Sequence, residues 1–133
     1  MTEAIILFCT IFGTWIAYQS FKSPSSEIKE ICQRCIEKFE YLASLNNQIV
    51  NKLSDYGEKT NSFDLVFMQG LTLKQCIQIL KDVKIRILND ESLEAIKQSK
   101  SKLRLQEILN HLDTQIKHHS ETQTTFNYFI KST

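Results

Sequence analysis

The chain has 133 residues, 42% of them apolar and 23% charged, with one Pro and three Gly. This composition excludes collagen-like and intrinsically disordered chains and suits one domain of bundle size. A net charge of +1 supplies no field that would gather nucleic acid, and four cysteines without regular spacing do not make a secreted disulfide framework, which favours a reducing compartment.

From Ala4 to Tyr18 the run AIILFCTIFGTWIAY carries no charge, and Gln19, Ser20 and Phe21 extend it to about eighteen residues, roughly 27 Å of helix and enough to span a hydrocarbon core. A cleaved signal peptide would need a basic start and a small-x-small cleavage site, whereas Glu3 is the charge that precedes the run and Tyr18, Gln19 and Phe21 are bulky. A core helix would carry a polar face, and none is visible between Ala4 and Ala17. The expectation is a single-pass membrane anchor over residues 1–22.

Lys22, Lys29 and Arg34 follow the anchor and no Lys or Arg precedes it, which puts the N-terminus outside and the C-terminal domain in the cytoplasm or an equivalent reducing compartment. Trp15, Tyr18 and Lys22 are the expected membrane-interface residues. Cys9, Gly13 and Ala17 recur every fourth residue, a small-residue stripe suited to packing against another membrane helix.

Residues 23–133 read as one helical domain. Ser23 and Pro24 suit a helix start, and the first helix is expected over about 24–55, with Ile28, Cys32, Cys35, Phe39, Leu42, Ile49 and Leu53 spaced alternately by four and three and Asn46 filling the remaining slot. Tyr56-Gly57 reads as its glycine stop. A short helical turn is expected over about 62–69, then a second helix over about 72–88 opened by the capping-box pattern of Thr72 and Gln75. A third, over about 91–119 with Asp90 as cap, carries the less regular stripe Leu93, Ile96, Leu103, Leu105, Ile108, Leu109, Leu112 and Ile116, and a last helical turn is expected over about 121–130. The fold class is therefore all-α: one N-terminal transmembrane helix, then an antiparallel helical bundle or hairpin of about three main helices. Because the second helix is shorter than its neighbours, apolar stripe is expected to remain uncovered and available to a protein partner.

Cys32-Gln-Arg-Cys35 is spaced for a thiol pair or half a zinc site. It falls more than two turns inside a helix and within the apolar stripe, where cysteine packs as a small hydrophobe, so core packing is preferred to redox or metal chemistry. His118 and His119 diverge by about 100° on a helix and read as a solvated helix end. Lys97, Lys100 and Arg104 fall close to one helical face, a candidate contact for anionic lipid or an acidic protein, with a solvated helix face the preferred reading. No nucleophile–base constellation, phosphate loop or HExxH pattern is present.

These features point to a non-catalytic membrane-anchored interaction or assembly protein, a small accessory subunit of a larger membrane complex. Its expected partners are the membrane and proteins met through the anchor and the uncovered stripes, with no cofactor, nucleic acid or small-molecule substrate. The alternatives are a membrane-tethered sensor or effector with a cytoplasmic bundle and, more remotely, a redox or metal-dependent protein using Cys32 and Cys35.

Overall fold

The computed structural model describes residues 26–131. It is mostly helical, with helix α1 (Thr2–Thr60), a hairpin of strands β1 (Val66–Met68) and β2 (Leu71–Thr72), and helices α2 (Leu73–Arg86), α3 (Asp90–Gln98) and α4 (Lys102–Ser132). The expected anchor, its interface and packing residues, and the helix start at Ser23-Pro24 lie outside the described residues. Among the described residues no helix is long and apolar enough to cross a membrane.

The described part of α1 buries the stripe expected from its sequence, with Cys35, Phe39, Leu42, Asn46, Ile49 and Leu53 all turned inward. At its start Ile31 is buried and Cys32 only partly so, which shifts the inner face by one position. The helix passes the expected stop at Gly57 and ends at Thr60. Asn61 then takes a left-handed φ of 51°, and the Ser62 amide reaches back to the Gly57 carbonyl at 3.3 Å, the six-to-one bond of a Schellman ending.

Gly57 serves packing instead of termination: a Cβ there would collide with Cε1 of Phe63, whose ring folds back over the helix. Gly57→Ala in a helix interior normally gains about 1 kcal/mol. Here we expect it to lower the thermal midpoint, because Phe63 has to leave its seat; a raised midpoint with the Phe63 environment unchanged would contradict that packing.

The turn of helix expected at 62–69 is instead a β-hairpin, a correction with a local cause. Gln69 and Gly70 both have positive φ, 50° and 75°, as a type I′ two-residue turn requires, and Val66 pairs with Thr72 and Met68 with Leu71. Positive φ at two successive residues breaks any helix. The capping box is formed as expected: the Gln75 amide donates to Thr72 Oγ1 at 3.1 Å, and the Thr72 amide donates to Gln75 Oε1 at 2.9 Å.

The third helix expected over 91–119 is two helices. Asn89, one residue before the expected cap, accepts the Ser92 amide at 2.7 Å and donates to the Ile85 carbonyl at 2.8 Å, joining α2 to α3. Residues 99–101 break the chain again, and Ser101 starts α4 by accepting the Leu105 amide at its carbonyl and the Arg104 amide at its hydroxyl. The expected separate turn at 121–130 belongs to α4, where Thr122 and Thr124 return their hydroxyls to carbonyls four residues earlier without ending the helix.

Three legs result: α1 runs up, α2 followed by α3 runs down, and α4 runs up again. Glu27 meets Lys102, Cys35 meets Leu105, Lys38 meets Asp113, Asn46 meets His119, and Tyr56 meets Phe126. The monotonic order makes α1 and α4 parallel, and theirs is the most extensive packing among the described residues. This is the antiparallel order expected of three successive legs, in which the outer two run the same way. The middle leg is longer than expected, since α3 extends α2 and covers the stripe that a lone second helix would leave bare.

Two cores lie along this axis. The lower one joins Ile31, Cys35, Phe39 and Leu42 to Leu88 and Ile96 of the middle leg and to Leu105, Leu109 and Leu112 of α4. In the upper one, Leu45, Ile49 and Leu53 meet Leu73, Cys76, Ile77 and Leu80, closed above by Phe67 and Phe126.

Candidate functional site

Of the residues singled out in the sequence, Cys9, Gly13, Ala17, Trp15, Tyr18 and Lys22 fall outside the described region. Cys32 and Cys35 fall in the lower core and are free thiols. They engage different helices: the Cys32 thiol donates to the Ile96 carbonyl of α3 at 3.4 Å, and the Cys35 thiol to the Leu105 carbonyl of α4 at 3.3 Å. Burial pushes the Cys35 pKa up, with the neighbouring Cys32 adding to it and Lys38 opposing, and burial alone raises that of Cys76. A thiol held protonated is a poor nucleophile and a poor metal ligand. Among the described residues no three His, Cys, Asp or Glu side chains gather as metal ligands.

Lys97, Lys100 and Arg104 do not share a helical face, because α3 ends at Gln98. Lys97 and Lys100 line an open groove with Lys29, Ile28 and Cys32 of α1. Arg104 lines a different and more apolar groove between α3 and α4, floored by Phe39 and Leu112. All three cations are exposed at the end of the bundle where the described part of α1 begins.

One buried polar cluster was not anticipated. His119 is 3% exposed and Asn46 0%, so the expected solvated helix end applies to His118 alone. His119 Nδ1 lies 2.8 Å from the Gln115 carbonyl and therefore carries the proton, which leaves Nε2 to accept from Asn46 Nδ2 at 3.1 Å. The second Asn46 amide hydrogen goes to the Leu80 carbonyl at 2.9 Å. One side chain thus ties α1 to α2 and α4 where the two cores meet. Asn46 Oδ1 has no hydrogen-bond partner. Turning the amide over would set that oxygen against the Leu80 carbonyl and the imidazole lone pair, so the unpaired atom is the cost of two well-directed bonds.

At the upper end, Tyr56 of α1 and Phe67 of β1 each meet both Phe126 and Phe129 of α4 edge to face, at centroid distances of 5.5–5.8 Å. These rings close the bundle. Outside them, Leu65, Val66, Tyr128 and Ile130 expose between 40% and 75% of their surface.

The fold and its surfaces define a three-legged helical bundle with a broken middle leg and a small hairpin at one end. No protein-family model, characterised protein or solved structure matches the chain.

Proposed function

We propose that this chain is a non-catalytic, membrane-anchored interaction or assembly protein, a small accessory subunit of a larger membrane complex, with its bundle on the cytoplasmic or equivalent reducing side. What supports the reading is the division of labour among its side chains. Cys35, Cys76, Asn46 and His119 are turned into the core, His111 and His118 stand apart on the surface of α4, and large apolar side chains are spent on the surface. Leu65, Val66, Tyr128 and Ile130 sit at the end far from the N-terminal apolar run, where a partner would meet a bundle held upright by that run. Burying such side chains in a partner gains about 1.5–3 kcal/mol for each one fully covered.

Purification of the tagged full chain in mild detergent should return a stoichiometric companion. Leu65→Lys with Val66→Lys should sharply reduce that companion while leaving the thermal midpoint unchanged, since both positions are exposed. A full chain recovered alone from the membrane fraction would overturn the proposal.

A further inference from the structure

We infer that the lower end of the bundle is a contact surface for an anionic lipid headgroup layer, an inference that rests on the membrane-anchored reading. Every leg sends cations there: Lys29 from α1, Lys97 from the last turn of α3, Lys100 from the link, and Lys102 with Arg104 from the first turn of α4. The carboxylates at this end are Glu27, Glu30 and Glu94, with Glu107 one turn further along α4 in the groove that Arg104 lines. Lys102 takes up Glu27 at 2.6 Å, and Glu94 lies 3.8 Å from Lys97. Lys29, Lys100 and Arg104 have no ion-pair partner among the described residues.

Leu103 is the second observation. It stands 71% exposed between Lys102 and Arg104, although its place in the sequence pattern suggested a buried position. The break at 99–101 turns it outward. An apolar side chain flanked by cations is what an interfacial segment presents, the charges to phosphate and the leucine to the acyl boundary. An acidic protein could meet the same groups, and what favours lipid is that the proposed anchor leads directly into this end of the bundle.

Position agrees with chemistry. Lys29 follows the end of the apolar run at Phe21 by eight residues, about 12 Å at helical rise, and a headgroup layer is roughly 5–7 Å deep. A lysine side chain spans most of the difference, and the remaining gap is within about one Debye length.

The test uses the full chain with Trp15→Phe and Leu103→Trp, reconstituted into vesicles of phosphatidylcholine alone and of phosphatidylcholine with about one-third phosphatidylserine. Quenching of the introduced indole by lipids labelled near the headgroup should be roughly twofold greater in the anionic vesicles. Adding Lys100→Glu and Arg104→Glu should remove that difference without changing the melting profile. Equal quenching in both membranes, with the chain incorporated in each, would overturn this inference and leave the anchor intact. Loss of a companion protein from the charge-reversed chain without any lipid dependence would overturn it in favour of an acidic protein surface. Failure to incorporate into either vesicle would overturn the anchor reading and this inference together.

Discussion

Replacing His119 with alanine is expected to lower the unfolding free energy at neutral pH by about 2–4 kcal/mol, because more is lost than the two hydrogen bonds of its ring. The truncation leaves a cavity where α1, α2 and α4 meet. It also strands one amide hydrogen of Asn46, a side chain that is 0% exposed and already carries an unpaired oxygen. Removing both partners should cost less than removing one, because Asn46→Leu with His119→Leu leaves no buried polar atom unsatisfied. Urea titrations of both variants measure the difference, and a double variant weaker than His119→Ala would refute the account.

The same pair carries a pH dependence. Burial pulls the His119 pKa below its ordinary value, and His118 adds to the effect, while the bond to the Gln115 carbonyl opposes it. The group thus takes up its proton less readily folded than unfolded. Its contribution is fully present above the unfolded pKa of about 6.5 and is lost as pH falls toward the lower folded value, at up to about 1.4 kcal/mol per pH unit. A proton on Nε2 would face the donor of Asn46, with the Leu80 carbonyl already occupied by the other amide hydrogen. His119→Leu should flatten the urea midpoint between about pH 5.5 and 7 relative to the parent. An unchanged slope would place the titration elsewhere.

Particular residues explain how much of this was legible in the sequence. The inner face of α1 from Cys35 to Leu53 follows from spacing alone, because a long helix with one buried face has no alternative way to hide those side chains. Thr72 and Gln75 likewise declare their capping box locally. The break at 99–101 contains neither Pro nor Gly, and its signal is only Ser101, a cap residue inside a run that otherwise propagates helix. The irregular stripe from Leu93 to Leu105 was the trace of that break, with Leu103 out of register because it belongs to a new helix.

The hairpin was hidden for a related reason. Gln69-Gly70 is a weaker turn signal than Asn-Gly, and strands of three and two residues are too short to show alternation. The parallel run of the first and last legs was implied by three antiparallel helices, whereas the division of the middle leg into α2 and α3 was not legible. Of the candidate site, Lys97, Lys100 and Arg104 were visible as a cluster, but their distribution around one end of the bundle, and the addition of Lys29 and Leu103, required the turn at Ser101. Asn46 was visible as a polar residue in an apolar stripe. Its partner was legible by the same spacing: Leu105, Leu109, Leu112 and Ile116 step by four and three, and the next step of three falls on His119 and not on His118.

Phe126→Ala should produce the other large effect, a loss of about 3–5 kcal/mol, and the loss should have an address. Phe126 is 2% exposed and meets both Tyr56 and Phe67, so the truncation opens the upper core and removes two edge-to-face contacts worth about 0.5–1.5 kcal/mol each beyond area. The hairpin's other holds are lighter: Phe63, Met68 and Leu71 are only partly buried against the core, and the Leu73 and Lys74 amides donate to the carbonyls of Leu65 and Phe63. Two strands this short are marginal alone, and Phe67 is the β1 side chain buried in the core, with Met68 packed against it only partly buried. Backbone amides from Val66 to Thr72 should therefore exchange with solvent faster in Phe126→Ala, by local opening, than global destabilisation accounts for. Leu42→Ala, in the lower core, should cost about 2–5 kcal/mol and speed exchange only through global unfolding. If the hairpin amides respond equally to both substitutions at matched stability, the rings do not secure the hairpin. The exposed Leu65 and Val66 would then be presented by the turn and the α2 capping box instead of by the tail of α4.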